Sequence, residues 1–327
     1  MDPAGETQCP ICNATFPHHS IVLKERMFGL GHEFKYLQCS NCETLRIEKF
    51  PENIGDYYQE AYHGHMAMSV EHVSNSLRRI IIRERDRFEL TGKGMIGKIA
   101  AKKKEAPDLR AMRPLRIRAG ESILDVGCGY GRIIARMQGL GVTAHGVDPF
   151  IDGDIGSKGS GFWVRKGFLT DIEDTYDMIL MNHSFEHMPD PLQVLKDAKK
   201  RLKPTGRMML RIPTISCQMW SEYGVCWYQL DAPRHFFLHS RSGIRELACQ
   251  AELEVTEIID DSDEYQFIGS ELYRAGVALY PSTPEGVRKK EALIAGMDRT
   301  KFRREAEKLN REGRGDQIAV LLKHKST

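Results

Sequence analysis

Nine residues near the middle of the chain, Leu124-Asp125-Val126-Gly127-Cys128-Gly129-Tyr130-Gly131-Arg132, restrict its architecture more than any others. Ser122–Val126 reads as a buried strand, and Arg132 to Leu140 has helical spacing that stops at Gly141. Between them, three alternating glycines allow the main chain to approach a ligand closely, while the helix start offers unpaired N–H groups. The spacing is G-x-G-x-G, distinct from the G-x-G-x-x-G of dinucleotide folds. Asp148 lies seventeen residues beyond Gly131, at the end of a second expected strand, Val142–Val147. A strand-end acid at that point can accept both ribose hydroxyls of an adenosine.

The texture around this run repeats strand and helix. Phe162–Val164, Tyr176–Met181 and Met208–Ile212 read as further strands, and Asp190–Leu202 as an amphipathic helix closed by Lys203-Pro204-Thr205-Gly206. After an insertion at 213–240, Ser242–Ala251 reads as a helix, and Leu253–Ile259 with a run near Phe267 is expected to close the sheet. Such alternation predicts an α/β fold with a parallel sheet. Upstream, Ser76–Leu90 has a helical period, 92–104 reads as a mobile basic loop, and 51–75, with Tyr57, Tyr58, Tyr62, His63 and His65, reads as a connector.

Composition bounds the function classes. Of 327 residues, 41% are hydrophobic, enough for a full core and too many for a disordered chain. Lys plus Arg total 47 against 45 Asp plus Glu, a net charge of +2 that argues against a nucleic-acid coat protein. The average hides an asymmetry: residues 78–118 carry 14 basic and 5 acidic side chains, whereas 148–197 carry ten acids against four Lys and Arg. No apolar run approaches the length of a membrane span, and Met1–Glu6 lacks a signal-peptide layout, so a cytoplasmic protein is expected.

Four of the eight cysteines form two knuckles, Cys9-Pro-Ile-Cys12 and Cys39-Ser-Asn-Cys42. Two such turns can place four thiolates on one ion at about 2.3 Å, filling a tetrahedron and leaving no open position, so a structural zinc is expected. A redox Cys-x-x-Cys, an iron–sulfur centre and unrelated thiols are the alternatives. Cys128, Cys217, Cys226 and Cys249 have no metal spacing and read as packing residues.

The segment from about Ser122 to Pro213 resembles a class I S-adenosylmethionine-dependent methyltransferase. The likeness rests on Leu124–Gly131, Gly146-Val147-Asp148, Tyr176–Ile179, Phe185-Glu186-His187-Met188-Pro189-Asp190-Pro191 and Leu202–Arg207. More narrowly, it resembles the branch in which a zinc ribbon precedes the methyltransferase core, with Arg234-His235-Phe236-Phe237 after the fifth strand and a late Gly315-Asp316-Gln317. The resemblance implies a Rossmann-like sheet at 119–327 with the acceptor-site insertion, behind a zinc-ribbon module at 1–50 and a helical connector or lid at 51–118. It implies S-adenosylmethionine as cofactor. Asp125, Gly127, Cys128, Gly129 and Gly131 would form the methionine-side floor, with Asp148 and Pro149 at the ribose, Asp171 near the adenine, and Asn182 and His183 facing the sulfonium.

That branch includes methyltransferases of sugars in polysaccharide and antibiotic pathways, so the expected acceptor is a hydroxyl of a sugar, a phosphate-linked sugar or a related small molecule. A hydroxyl must lose its proton, a task that suits histidine near neutral pH. The candidate bases are His235, with Asp231 available to orient it, then His187 and His183; His239 reads as a loop residue. Asn182-His183-Ser184-Phe185 stands where an amine-methylating Asn-Pro-Pro-Tyr site would be. The alternatives are an RNA or protein methyltransferase that uses the ribbon for recognition, and a non-catalytic scaffold of the same fold.

Overall fold

The computed structural model describes residues 8–15, 19–58 and 76–325, and the connector residues Tyr62, His63 and His65 lie outside these. Its strands are β1 His19–Lys24, β2 Glu33–Gln38, β3 Leu45–Ile47, β4 Ser122–Val126, β5 Thr143–Asp148, β6 Ile155–Ser157, β7 Phe162–Lys166, β8 Tyr176–Asn182, β9 Leu202–Pro213, β10 Phe237–Leu238, β11 Leu253–Asp260 and β12 Gln317–His324. Its helices are α1 Ser76–Thr91, α2 Met95–Lys103, α3 Pro107–Ala111, α4 Arg132–Gln138, α5 Pro191–Arg201, α6 Gln218–Tyr223, α7 Arg241–Gln250, α8 Tyr265–Arg274, α9 Pro284–Ala295 and α10 Arg299–Arg311. Eight strands form one sheet in the order β11-β12-β9-β8-β4-β5-β7-β6, and a second sheet has the order β1-β2-β3-β10. The chain divides into two compact units, Met1–Gln59 with Phe185–Leu195 and Arg211–Val320, and Glu60–Ser184 with Lys196–Leu210 and Leu321–Thr327.

The second unit contains the glycine turn. Parallel pairing runs β8-β4-β5-β7, with β6 antiparallel at the edge, so the centre is of the parallel α/β kind. Ile123, Leu124, Ile179, Leu180 and Ala144 are fully buried, the continuous apolar runs that a sheet covered on both faces requires. At the far end from the turn, the Asp177 carboxylate accepts from the Ser122 main chain and hydroxyl and from Lys203, joining the starts of β4, β8 and β9.

The first unit contains the cysteine knuckles and the small antiparallel sheet. Here β3 pairs with β10 through Phe237↔Arg46 and Leu238↔Leu45, so the strand after the second knuckle is completed by residues nearly two hundred positions away. Ser240 caps α7 by accepting from the Gly243 amide at 2.8 Å.

Three local expectations need correction. The stretch 92–104 is not a loop but contains α2. Gly97 makes this possible, because a Cβ there would lie 2.1 Å from the Glu84 carbonyl oxygen, so only glycine lets α2 close on α1. The run near Phe267 does not close the sheet. It lies in α8, which buries Phe267, Ile268 and Leu272 on one face, and β12 supplies the strand instead. Lys203–Gly206, expected as a turn after the helix, is the start of β9.

Candidate functional site

The glycine turn leaves β4 and enters α4 with Gly127, Gly129 and Gly131 at φ of 74°, 55° and 77°, all in the left-handed region that favours glycine. Space is short as well as torsion: a Cβ on Gly127 would fall 2.4 Å from Ser184 Cβ, and one on Gly131 would fall 2.5 Å from Val164 Cγ2. Ser184 is held there by donating its hydroxyl to the Val126 carbonyl at 2.6 Å. The residue before it, His183, has φ of 53° at the end of β8, so the chain turns sharply as it leaves the sheet beside the glycine turn.

Two carboxylates frame the turn. Asp148, at the end of β5, accepts from the Gly129 amide at 2.8 Å through one oxygen and from the Phe150 amide at 2.8 Å through the other. It therefore shapes the glycine turn, and each oxygen keeps a second lone pair for a ligand. Asp125, on β4, is buried, and its Oδ1 has no hydrogen-bond partner. Burial, helped by the charge of Asp148, pushes its carboxyl up to about 8. A buried acid held protonated beside a glycine turn, with an unsatisfied oxygen, fits a ligand that brings a cation. The ammonium of the S-adenosylmethionine amino acid is such a group, and the ribose diol matches the acceptor capacity of Asp148.

The other expected cofactor residues are placed as follows. Cys128 sits inside the turn with its sulfur against Gly146, where a Cβ would be 2.4 Å away, and packs on the buried cluster of Ile134, Ala144, Ile151 and Val164. Pro149 follows β5 directly and is half-buried. Asp171 is exposed, and its carboxylate closes its own turn by accepting from the Phe168 amide at 2.8 Å. Asn182 ends β8 and is half-buried. Asp125, Gly127, Cys128, Gly129, Gly131, Asp148, Pro149, Asn182 and His183 thus come from the ends of β4, β5 and β8, which run parallel and side by side in the order β8-β4-β5.

The other candidate histidines, His187, His235 and His239, belong to the first unit. His235 is buried, with Nδ1 2.8 Å from the Gln229 carbonyl, and desolvation by burial lowers its pKa to about 4. Asp231 was the expected partner for this ring, but its carboxylate is engaged by Arg234, and its nearer oxygen stands 3.8 Å from His235 Nε2. Burial alone would raise Asp231, yet the Arg234 guanidinium holds it below the usual carboxylate range. Arg234 also donates to Glu25 at 3.0 Å and to the Tyr57 carbonyl at 2.8 Å, and lies over the Phe28 ring. His187 places Nδ1 2.7 Å from the Arg234 carbonyl and 3.2 Å from the Tyr58 hydroxyl. His239 is fully buried between the Phe185 and Phe237 rings, neither nitrogen has a hydrogen-bond partner, and desolvation takes its pKa to about 3. Its place in the sequence suggests a loop residue, and only the packed structure reveals a core imidazole. Within the insertion, Trp227 is fully buried and donates Nε1–H to Asp316, of the late Gly315-Asp316-Gln317, at 3.0 Å.

The four knuckle thiols converge. Cys9 and Cys42 sulfurs are 3.8 Å apart, Cys12 and Cys39 sulfurs are 3.7 Å apart, and all four lie within 4.8 Å of one another. Metal–sulfur bonds of ~2.3 Å in a tetrahedron set sulfur–sulfur edges of ~3.8 Å, so the set fits a zinc-sized ion. Both knuckles repeat one turn: the amide four residues on donates back to the first cysteine carbonyl, and that residue, Asn13 or Glu43, has positive φ. The Cys9 and Cys42 thiols share one hydrogen bond, which lowers Cys9 and raises Cys42.

Several known proteins are similar to parts of this chain. The ubiquinone biosynthesis O-methyltransferase of Pseudomonas savastanoi pv. phaseolicola is 29% identical over 122 residues, 32% of this chain and 53% of that protein. The corresponding protein of Pseudomonas fluorescens is 28% identical over the same length. The chain spans about half the length of the curated relatives it matches. Among solved structures, the cyclopropane synthase MmaA2 from Mycobacterium tuberculosis aligns at 18% identity with a TM-score of 0.42, covering 73% of this chain and 93% of that one. The Burkholderia thailandensis 1,6-didemethyltoxoflavin-N1-methyltransferase aligns at 12% identity with a TM-score of 0.41, covering 76% and 90%. Residues 98–258 match the Methyltransf_23 family, described as a methyltransferase domain. The glycine turn and its two acids lie inside the residues that match this methyltransferase-domain model.

Proposed function

We propose that the protein transfers the methyl group of S-adenosylmethionine to a hydroxyl of a small-molecule acceptor, a sugar or a related natural product. The observation that carries the cofactor half is Asp125, a buried carboxyl with an unsatisfied oxygen beneath the glycine turn. An ammonium placed there would satisfy that oxygen and restore the ionised form. Asp148 would hold the ribose diol, and the Gly127–Gly131 turn would let the methionine portion approach the main chain. The sulfonium is already an activated methyl donor, so the work left to the protein is alignment of the acceptor and exclusion of water, for which alignment alone can supply ~7–11 kcal/mol.

The acceptor proton needs a base, and His183 is the residue we assign. Its support is positional: it leaves β8 in a sharp left-handed turn one residue before Ser184, which packs on Gly127. The hydroxyl reading also draws on Asn182-His183-Ser184-Phe185, which lacks the prolines of an amine site, and on the O-methyltransferase names of the relatives. We further propose that Cys9, Cys12, Cys39 and Cys42 hold one zinc ion that supports the fold of the N-terminal segment.

Calorimetric titration with S-adenosylhomocysteine tests the reading. Wild-type protein should bind it, Asp148→Ala should not, and His183→Ala should bind normally while losing methyl transfer. Absence of binding heat with the wild-type protein would point to the scaffold alternative and refute the proposal.

A further inference from the structure

The methyl-transfer reading uses His183 and leaves a second constellation unexplained. Glu186, His187 and His235 each present one ligand atom, and these three atoms lie within 4.8 Å of one another. Glu186 and His235 are buried, and His187 is half-buried. We propose that Glu186, His187 and His235 form a binding site for a divalent transition-metal cation, separate from the four-cysteine cluster.

The donor chemistry is of the right kind. A main-chain carbonyl can only accept, so His235 Nδ1 carries the proton given to Gln229, and His187 Nδ1 carries the one given to Arg234. Neutral rings of that tautomer keep their Nε2 lone pairs for a ligand. This arrangement, with the second ring nitrogen donating to a carbonyl, is the usual outer-shell support of metal-binding histidines. His235 Nε2 stands 3.9 Å from Glu186 Oε1, and the two rings meet edge-on with centroids 4.8 Å apart. Metal bonds of ~2.1 Å place ligand pairs ~3–4 Å apart, so small side-chain rotations close the set around an ion.

Rigidity supports the same conclusion. The short turn Phe185–His187 and the segment around Arg234 are tied together by Phe236 N–H donating to the Glu186 carbonyl at 2.8 Å and by the His187–Arg234 bond. Arg234 is itself clamped by Asp231 and Glu25. The three donors are therefore held close before any ion arrives, as a first shell requires. Asp231 is occupied by Arg234, so the ligand set is two imidazoles and one carboxylate. Such a set suits zinc, cobalt, nickel, iron or manganese rather than calcium. Three protein ligands also leave coordination positions for water or for an oxygen of a hydroxylated small molecule.

Cobalt(II) is the probe. Full-length protein with its cysteine cluster loaded with zinc is titrated with Co²⁺, followed by visible absorption, and its metal content is measured after gel filtration. The wild-type protein should retain two ions per chain, one zinc and one cobalt, the latter without thiolate charge-transfer bands. Glu186→Gln and His187→Asn should each lose the cobalt and keep the zinc, whereas Cys12→Ser should lose zinc and keep cobalt binding. The proposal is overturned if wild-type protein retains only zinc, or if the cobalt persists in both Glu186→Gln and His187→Asn. Wild-type stoichiometry decides the matter even if a variant does not fold. Because S-adenosylhomocysteine binding is read separately, failure here leaves the methyl-transfer reading standing, and the reverse also holds.

Discussion

Replacing Asp125 by asparagine should make the unliganded protein more stable while abolishing tight cofactor binding. The shapes are nearly equal, so the difference is one of charge. In the folded protein the carboxyl titrates near 8, against 3.8 for the free group, because it is buried and faces Asp148. Native protein therefore keeps a proton that the unfolded chain releases between about pH 4 and pH 8. Where the native state binds more protons than the unfolded one, stability falls as pH rises. The displacement corresponds to a ceiling of ~6 kcal/mol, and protein relaxation and water penetration reduce this to on the order of 2–4 kcal/mol at pH 7. Urea unfolding of both proteins from pH 4 to pH 8.5 reads the effect: the Asp125→Asn advantage should be near zero at pH 4 and grow steadily to pH 8. Calorimetry supplies the second half. With the wild-type protein, affinity for S-adenosylhomocysteine should fall by up to ~10-fold per pH unit below 8, as the ammonium must displace a proton. Asp125→Asn should weaken binding at pH 8 by ~10–100-fold, the worth of a hydrogen bond to a charged group, and show no such pH slope. A stability difference that does not change with pH, or unaltered affinity at pH 8, would refute the reasoning.

Three other outcomes follow from named contacts. Gly127→Ala sets a methyl 2.4 Å from Ser184 Cβ at φ of 74°, so it should lower the urea midpoint by the equivalent of ~2 kcal/mol or more and eliminate binding heat with S-adenosylhomocysteine. Arg234→Met leaves the Asp231 and Glu25 carboxylates buried without their cation, a loss of ~3–5 kcal/mol in chemical denaturation that the triple change with Asp231→Asn and Glu25→Gln, which keeps an acceptor beside the Phe28 and Leu30 amides, should partly recover. Chelator treatment, or Cys39→Ser, should release the zinc and open the sheet formed by β1, β2, β3 and β10, visible as new protease cleavage between residues 8 and 48 while the glycine-turn unit stays resistant; retained protection would count against a structural metal.

Much of the unit that holds the glycine turn was legible in the amino-acid order because its cues are local. A glycine turn needs positive φ at Gly127, Gly129 and Gly131 wherever the rest of the chain goes, and the alternation of apolar runs around it names a parallel sheet. Asp148 could be found by counting from the turn, and the two knuckles by their own spacing. The errors arose where a distant partner outweighed a local signal. Glycines at 92, 94 and 97 suggested a loop, yet Gly97 is the close-approach point between α1 and α2. Residues near Phe267 have the composition of a strand or a helix, and packing of Gly269 against Tyr228 settles the choice for the helix.

The amino-acid sequence by itself determined the glycine turn, its acids and the two cysteine knuckles, since each depends on covalent spacing and backbone torsion within a few residues. Tertiary structure alone decided what surrounds the histidines. His187, His235 and His239 are separated by up to 52 positions, and their burial, tautomers and neighbours come from long-range packing that has no period to read. The same holds for Asp125, whose residue type announces a charge but whose burial beside Asp148 holds it neutral, ready for a cation.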